Sequence, residues 1–314
     1  MKISATLTCQ YDSVFSPFAA SEFEAGLDWA VACKLDGVEL CIADYRQTPT
    51  VDTMKAYAAD IACKLAARRL NCSTISTGQA FGRENISLTH DQEVARNLAA
   101  SRVMAHIMVA SVLGSCVTIG LLRGTAKEIP ASEATARMKK ALQPCLEYAA
   151  KMGVCLLIEP INRYETGFIN NTLEALDFIN QMDNSSNLKI LWDVFHANIE
   201  DASFAASIKA MGDRLGHVHL ADSNRGFPMC GHLDFAAIFR ALTEEGYAGW
   251  LSLECLDKPF AGCIRRLTPD FVNMLKGAGT QPQPGAATSE SSPAEPPKPE
   301  EKDIELFDLF RRRR

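Results

Sequence analysis

Short apolar runs rich in β-branched residues alternate with helix-patterned stretches along most of this chain. Eight such runs cover residues 3–8, 37–42, 71–76, 116–119, 154–159, 189–193, 216–219 and 251–254. Each is followed by a segment with the i, i+3, i+4 apolar spacing of a core-facing helix. Parallel strands need such crossovers, and closing the sheet leaves no strand without a neighbour. The pattern therefore predicts an α/β fold, a (β/α)8 TIM barrel.

An open, doubly wound sheet is the alternative architecture for the same alternation. Such sheets carry a glycine-rich turn after the first strand, and residues 9–18 contain no glycine. The closed barrel is therefore favoured. The spacings Thr89-x-x-Gln92 and Asn171-x-x-Glu174 predict capped starts for two of its helices.

The composition divides the chain into three parts. Of the 314 residues, 47% are apolar and 22% are charged, which suffices for one large core, and residues 1–276 are predicted to form the catalytic barrel domain. Residues 277–303 are rich in Pro, Ser, Ala and Glu and predict an extended linker. Residues 304–314 are apolar and then basic, which fits either a solvated tail or a peptide that docks onto a protein partner.

The charge balance and the cysteine pattern indicate where the protein works. A formal net charge of −6, with no basic stripe in the barrel region, argues against a nucleic-acid partner. The 11 cysteines include no CxxC pair and most lie in apolar segments, as expected for buried thiols in a reducing compartment. The segment MKISATLTCQ has no apolar stretch of the kind that directs secretion. These features predict a cytoplasmic protein.

One stretch could be read as a membrane span. Residues 103–122 contain no Asp, Glu, Lys or Arg. The stretch includes His106, however, and it breaks at Gly114 between a helix-like half and a β-like half. A buried helix followed by a barrel strand explains it, so no membrane partner is predicted.

Four consecutive strands in the second half end on side chains that can bind a metal or move a proton. They are Glu159, Asp193, His219 and Glu254. In a parallel barrel the carboxyl ends of all strands meet at one rim, where catalytic groups collect. Three carboxylates brought together there are costly unless a cation joins them. Three oxygens, one nitrogen and no thiolate suit Mn²⁺, Mg²⁺ or Co²⁺ in an open octahedral shell.

The order of these strands also separates roles. Glu159 and Glu254 come from the outer two of the four strands, so they approach a bound molecule from different directions. A metal that chelates a hydroxy-ketone acidifies the neighbouring C–H bond. One glutamate could then remove the proton and the other could return it on the opposite face, which inverts a stereocentre. Both are therefore predicted catalytic residues as well as metal ligands.

Three further side chains are predicted to contact the substrate. His196 follows Asp193 on the same loop and is expected to hydrogen-bond an oxygen where charge develops. Arg225 is a planar donor for a hydroxyl pair, an enediolate or a phosphate. Glu165 is expected to orient the ligand or Arg225. His217, by contrast, is expected to face away from the barrel interior and to be structural.

Several motifs in this region resemble those of a known family. They are IEPINRYE (158–165), WDVFHAN (192–198), HVHLADSNRG (217–226), GHLDF (231–235) and SLEC (252–255). Together they look like the signatures of the sugar isomerase/epimerase family with the xylose-isomerase-like barrel. Within that family they are most similar to the ketose 3-epimerases of the tagatose/psicose type.

The resemblance implies a specific chemistry, namely acid/base exchange by two glutamates on either face of C3 of a ketose. It implies four metal ligands, at Glu159, Asp193, His219 and Glu254. It implies sugar contacts from three side chains, Glu165, His196 and Arg225. The implied cofactor is a divalent metal, usually Mn²⁺ and sometimes Co²⁺ or Mg²⁺, and the implied assembly is a homo-oligomer.

Three other functions compete with epimerisation. A hydroxypyruvate-type or other aldose–ketose isomerase needs only one base, because it moves a proton on a single face. The related apurinic endonuclease needs extra histidines from strands three and four, and residues 71–78 and 116–123 contain none. A non-catalytic sugar-binding or docking protein would not need two carboxylates flanking its ligand. The glutamate pair therefore favours the epimerase.

Overall fold

The computed structural model places eight parallel strands in one closed barrel. The structure describes residues 1–42, 50–183, 185–256, 264 and 267–277. The strands are β1 (Lys2–Thr8), β2 (Gly37–Cys41), β3 (Asn71–Ser76), β4 (Cys116–Ile119), β5 (Leu156–Ile158), β6 (Leu188–Asp193), β7 (Leu215–Leu220) and β8 (Trp250–Leu253). Each pairs with its sequence neighbours, and β8 pairs with β1 to close the sheet. The predicted TIM barrel is confirmed.

Helices connect the strands in the described part of the chain. They are α1 (Phe23–Ala32), α2 (Val51–Ala67), α3 (Gly78–Glu84), α4 (Glu93–Leu113), α5 (Ala131–Met152), α6 (Thr172–Gln181), α7 (Val194–Glu200), α8 (Phe204–Met211), α9 (Phe235–Glu244) and α10 (Pro269–Gly277). Short 3₁₀ turns cover Ala20–Glu22, Leu121–Arg123 and Gly212–Arg214. The sequence did not predict α3 and α7, because seven residues are too few to display a helical apolar period.

One of the two predicted helix caps is present. The Asn171 side chain accepts a hydrogen bond from the Glu174 backbone N–H at 3.0 Å and starts α6. The cap predicted from Thr89 and Gln92 is wrong. Gln92 precedes α4, but its side chain caps nothing and its N–H is bonded to His90 Nδ1 at 3.0 Å. The Thr89 hydroxyl is turned toward a loop carbonyl instead.

The uncharged stretch at residues 103–122 contains a helix and a strand. Helix α4 ends at Leu113, and Gly114 has a φ of +64°, the left-handed conformation that stops a helix and that glycine adopts without strain. Strand β4 begins two residues later, at Cys116. No helix within the described ranges is both long enough and apolar enough to cross a membrane.

Polar side chains occupy the middle of the barrel. Glu39 on β2 contacts His219 on β7 although the two strands are not neighbours, so both side chains point into the barrel interior. Thr6 pairs with Glu39 and Ser252 pairs with His219 in the strand register, which puts them on the same inner face. Residues such as Ala5, on the alternate face, belong to the apolar core. The apolar core therefore lies between the sheet and its helices, and the interior is left for polar chemistry.

The predicted linker, 277–303, and the predicted terminal peptide, 304–314, fall outside the described residues except for Gly277. That residue is the last of helix α10.

Candidate active site

Four side chains meet at the carboxyl end of the barrel. Glu159 directly follows β5 and Asp193 ends β6. His219 is the penultimate residue of β7, and Glu254 directly follows β8. Each offers one oxygen or nitrogen atom, and these four atoms lie within 4.8 Å of one another. The structure thus brings together the four residues that the strand-end pattern singled out.

The two carboxylate oxygens of Asp193 have different contacts: one caps a helix and the other faces the carboxylate cluster. Oδ1 accepts a hydrogen bond from the backbone N–H of Phe195 at 2.8 Å and thereby caps helix α7. Oδ2 lies 3.7 Å from Nδ1 of His219. The sequence predicted that His196 lies on a loop. Helix α7 begins immediately after Asp193, however, so His196 lies on this helix.

The hydrogen bonding of His219 determines which ring nitrogen faces the carboxylates. Nε2 lies 2.9 Å from Oε2 of Glu39. An ionised carboxylate can only accept, so Nε2 carries a proton, and Nδ1 is the nitrogen that faces the carboxylate cluster. Nδ1 lies 3.2 Å from Oε2 of Glu254 and 3.7 Å from Oε1 of Glu159, and it makes no hydrogen bond within the described residues. A carboxylate behind the imidazole is the usual support of a metal-ligating histidine.

The electrostatics of the cluster favour a bound cation. Burial, together with the negative charges of Glu254 and Asp193, raises the pKa of Glu159 to about 7. Burial alone would lower the pKa of His219, but the charges of Glu39 and Glu254 hold it well above its ordinary value. A field that attracts protons this strongly also attracts a divalent ion. Three carboxylate oxygens and Nδ1 of His219, once a cation has displaced its proton, are donors that could hold such an ion.

Arg225 places a guanidinium beside the same carboxylates. Its Nη1 lies 2.8 Å from Oδ2 of Asp193, and its Nη2 donates to Oε2 of Glu254. The group lies between the rings of Phe15 and Phe195, with its central carbon 5.2 and 4.8 Å from the two ring centres. Arg225 also has a φ of +62°, which is uncommon for a residue with a side chain. The predicted substrate-contact residue is thus held in a special backbone conformation at the rim.

His196 is buried at the cluster, with a hydrogen-bond donor facing each of its ring nitrogens. The Asn162 amide NH₂ donates to Nδ1 of His196 at 2.8 Å, and its oxygen is engaged by the Tyr164 N–H at 3.0 Å, which fixes the amide orientation. On the other side of the ring, Nη1 of Arg225, which can only donate, lies 3.3 Å from Nε2. Nε2 faces Oε1 of Glu159 at 3.8 Å. Burial, assisted by the charge of Arg225, lowers the pKa of His196 to about 3, so the ring is a neutral N–H donor.

Glu165 supports His196 through an intermediate residue. Its Oε1 accepts a hydrogen bond from Asn162 Nδ2 at 2.8 Å and lies 3.9 Å from Nδ1 of His196. The side chain is 44% exposed at the rim. It is therefore open to a ligand and braces Asn162, the residue that orients the imidazole.

The expectation for His217 is wrong. Residues i and i+2 of a strand point to the same side, so His217 faces the barrel interior together with His219. Its Nε2 lies 3.5 Å from Oε2 of Glu39, and the side chain is fully buried. Glu39 also accepts a hydrogen bond from the Ser76 hydroxyl. His217 is thus part of the buried group that surrounds Glu39.

Asp222 organises the loop that carries Arg225. Its carboxylate accepts hydrogen bonds from the backbone N–H groups of Ser223, Met229 and Leu233 at 2.7, 2.8 and 3.2 Å. Its carbonyl accepts from the Arg225 N–H at 2.8 Å. One buried side chain therefore fixes both ends of the loop between β7 and α9.

Gly120, immediately after β4, leaves room for the Glu159 carboxylate. A Cβ atom at this position would lie 2.6 Å from Oε2 of Glu159, which is too close for any real contact. Only a residue without a side chain lets the carboxylate occupy its place.

Glu39, Asn162, Asp222 and Gly120 were not identified from the sequence. Glu39 left a visible signal, because it is a lone acid inside the apolar strand run GVELC. Asn162 and Asp222 each lie three residues beyond a strand-end ligand, where loop polarity is ordinary. Gly120 gave no signal, since its role depends on the neighbouring strand.

The sequence matches one known protein family and parts of several curated proteins. The family described as "Xylose isomerase-like TIM barrel" matches residues 27–274. An L-ribulose 3-epimerase of Methylomonas sp. (strain DH-1) is 41% identical over 126 residues, which cover 40% of this chain and 44% of the relative. A D-psicose 3-epimerase of Enterocloster bolteae is 40% identical over 119 residues, covering 38% of this chain and 39% of the relative. The matches thus span less than half the length of these two curated relatives.

Solved structures extend the likeness over more of the chain. The structure of an L-ribulose 3-epimerase superimposes with a TM-score of 0.68 and 28% identity, covering 82% of this chain and 82% of that one. The similarity in three dimensions therefore includes the barrel as a whole and is not limited to the rim motifs.

Proposed function

Because the chain belongs to the xylose isomerase-like TIM-barrel family, we propose that it is a divalent-metal-dependent epimerase that inverts C3 of a ketose. The observation that carries this proposal is the meeting of four donor atoms within 4.8 Å, two of which belong to Glu159 and Glu254. These two glutamates follow β5 and β8, with two strands between them. The 3-epimerase activity of the partly matching relatives supports the same assignment.

The metal ligands in this proposal are Glu159, Asp193, His219 and Glu254. Three observations support the fit: the buried Nδ1 of His219 makes no hydrogen bond within the described residues, three carboxylates lie within 3.7 Å of it, and the pKa of Glu159 is raised. Mn²⁺ is the proposed ion, with Co²⁺ or Mg²⁺ as substitutes, because the donors are hard oxygens and one imidazole. Such an ion, when bound, supplies Lewis-acid polarisation of a substrate carbonyl.

Glu159 and Glu254 would exchange the C3 proton. Glu159 has a pKa of about 7, raised chiefly by burial, so at neutral pH it can both accept a proton and give one back. Glu254 accepts the Arg225 hydrogen bond, which holds its carboxylate in place. One glutamate removes the proton and the other delivers a proton to the opposite face. The product is the C3 epimer.

His196 and Arg225 would position the substrate. The neutral imidazole of His196 directs Nε2 toward the cluster, and in the tautomer that carries its proton there it would donate to a substrate oxygen that gains charge. Arg225 contributes donors fixed by Asp193, Glu254 and two aromatic rings. Glu165, exposed at the rim, is the proposed contact for a sugar hydroxyl.

An aldose–ketose isomerase is the competing function, and isotope exchange separates the two. The Mn²⁺-loaded protein is incubated in D₂O with fructose, tagatose, psicose, ribulose and hydroxypyruvate, and NMR locates the deuterium. Label at C3 with a new C3 epimer supports the proposal. Label at C1 or C2 with aldose formation, or turnover of hydroxypyruvate alone, would replace it with isomerisation on a single face.

The setting of the enzyme is part of the proposal. None of the ten cysteines that the structure describes forms a disulfide, which supports a reducing compartment, and we place the enzyme in the cytoplasm. We also retain a homo-oligomer as its assembly. The segment 304–314 is kept as a docking peptide for a protein partner, because it is apolar with a basic end.

A further inference from the structure

A cavity lies at the amino-terminal end of the barrel strands, the opposite end from the carboxylate cluster. It has a volume of about 380 Å³. Its wall includes the residues at the amino ends of β4 to β8, among them Cys116, Cys155, Lys189 and Tyr247. Cys155 precedes Glu159 by four residues along the direction of β5, a distance of about 13 Å at the usual rise per residue. This basal cavity is therefore separate from the candidate active site.

Two cysteines stand side by side in the basal cavity. Val117 pairs with Leu156 in the register of β4 and β5, so the preceding residues, Cys116 and Cys155, also face one another. The Val117 N–H donates to the Cys155 carbonyl at 3.1 Å, which extends the pairing to this level. Paired residues of parallel strands point to the same side, and the spacing of about 4.8 Å between strands lies within the Cα range of disulfides. Both residues are partly exposed.

The two thiols lie beside each other and differ in acidity, and the Cys155 Sγ also lies 3.5 Å from the Leu156 carbonyl oxygen. The Cys155 thiol stabilises a thiolate on Cys116 and lowers its pKa; burial opposes this, and the positive charge of Lys189 adds to the lowering. The interaction with Cys116, together with burial, raises the pKa of Cys155. Cys116 is thus the better nucleophile, and Cys155 remains protonated beside it.

Other buried cysteines of the barrel lack this arrangement. Cys145 and Cys255 are fully buried, and desolvation raises the pKa of each thiol. Neither lines the basal cavity. The combination of a paired thiol, a lysine and an opening therefore distinguishes Cys116 and Cys155 from thiols that only pack.

We propose that Cys116 and Cys155 form a redox-active dithiol in the basal cavity, which peroxides convert into an intramolecular disulfide. The Cys116 thiolate attacks one oxygen of the peroxide, the O–O bond breaks, and the sulfur becomes a sulfenic acid as hydroxide leaves. The Cys155 sulfur then attacks that sulfenic acid, the S–O bond breaks, and water leaves with the thiol proton. Two electrons pass from the sulfurs to the peroxide. A thiol reductant reverses the change.

The test uses the full chain loaded with Mg²⁺, which has no redox chemistry of its own. The reduced protein is treated with hydrogen peroxide, the remaining thiols are alkylated, and a tryptic digest is analysed without reduction. Cys116 lies in peptide 103–123 and Cys155 in peptide 152–163, so the disulfide joins two identifiable fragments. We expect the joined pair to accumulate with peroxide and to disappear with dithiothreitol.

Three variants identify the role of each sulfur. Cys155→Ser is expected to stop at the sulfenic acid on Cys116, which dimedone traps. Cys116→Ser is expected to lose both the cross-link and the dimedone adduct. Cys63→Ser, which removes an exposed thiol on α2, is the matched control and should cross-link as the parent does. A further variant, Lys189→Met, should slow the reaction, because the thiolate loses its nearby positive charge.

Two results would overturn the proposal, one from the parent protein and one from the Cys116→Ser variant. If peroxide oxidises the exposed Cys63 and Cys230 while Cys116 and Cys155 remain fully alkylated, the pair is an ordinary structural contact. A dimedone adduct on Cys155 in Cys116→Ser would reverse the assignment of attacking and resolving sulfur and so reject the mechanism.

Discussion

His219 Nε2 lies 2.9 Å from Oε2 of Glu39, although the two residues are 180 positions apart and lie on strands that are not neighbours in the barrel. The contact turns the other ring nitrogen toward Glu159, Asp193 and Glu254. Glu39 is a carboxylate inside an otherwise apolar strand, and it decides how the imidazole is presented at the rim.

Replacing Glu39 with glutamine should weaken metal binding. The amide can present its NH₂ to Nε2 of His219, which moves the ring proton to Nδ1 and removes the lone pair from the carboxylate side. We expect Mn²⁺ affinity to fall about 10- to 100-fold, the usual effect of losing such a supporting carboxylate. Titration calorimetry measures the affinity, and the visible spectrum of the Co²⁺ form reports the ligand field without any turnover.

Glu84→Gln is the control for that experiment. Glu84 is a largely buried acid paired with Arg102 at 2.8 Å, and it does not belong to the carboxylate cluster. The variant should lose thermal stability while keeping the affinity for Mn²⁺. If Glu39→Gln binds Mn²⁺ as tightly as the parent and has the same Co²⁺ spectrum, Glu39 does not set the tautomer of His219.

Glu159→Gln and Glu254→Gln should each abolish epimerisation, because inversion needs a base on both faces. A variant that retains one base could still exchange the C3 proton with D₂O on one face, without forming the epimer. NMR distinguishes exchange from epimerisation in the same sample. Near-normal epimer formation by either variant would reject the two-base scheme.

Arg225→Ala should chiefly raise KM. Losing a charged hydrogen-bond donor costs about 1.5–3 kcal/mol, which corresponds to a decrease in kcat/KM of about 10- to 100-fold. Arg225→Lys keeps the charge but loses the planar fork, and its kcat/KM should fall between those of the parent and the alanine variant. A drop in kcat with unchanged KM would indicate that Arg225 acts on the chemical step.

Asp222→Asn should destabilise the protein in a pH-dependent way. Burial alone would raise the pKa of Asp222, but the backbone N–H groups from which it accepts hydrogen bonds lower the pKa below its ordinary value. The folded pKa is thus below the unfolded one, so the stabilisation is complete above the unfolded pKa and is lost as the pH falls through the folded pKa. We expect a loss of about 1–3 kcal/mol in unfolding free energy at neutral pH.

Urea unfolding of the parent and of Asp222→Asn at several pH values measures that difference. The gap between the two should be constant from neutral pH down to about 4 and should narrow below it. A gap that stays the same in acid would mean that the carboxylate charge does not stabilise the loop.

Gly120→Ala should reduce turnover without unfolding the barrel. The added methyl group would lie 2.6 Å from Oε2 of Glu159, so the carboxylate must move away from its present position. Gly78→Ala is the matched control, since a Cβ there meets nothing within 4 Å. Activity and melting temperature are measured for both, and equal activity would show that the Glu159 position is not critical.

The strand pattern predicted the fold well, because each apolar run had to pair on both sides and be buried. It also indicated the rim residues, since the carboxyl ends of parallel barrel strands meet at one place and polar side chains there become neighbours. It missed Glu39, whose partner is distant in sequence. It misplaced His217, because alternation along a strand places i and i+2 on one side. It also missed α7, since the capping role of Asp193 depends on which oxygen turns back toward the chain.

Closure of the sheet limits how copies of this protein can associate. Every strand from β1 to β8 already has two neighbours, so no strand can be extended by pairing with a second molecule. Within the described part of the chain, an oligomer of intact barrels can therefore use only helix faces and connecting loops. Its geometry would be set by the side chains of the outer surface, which can diverge between relatives while the barrel stays the same.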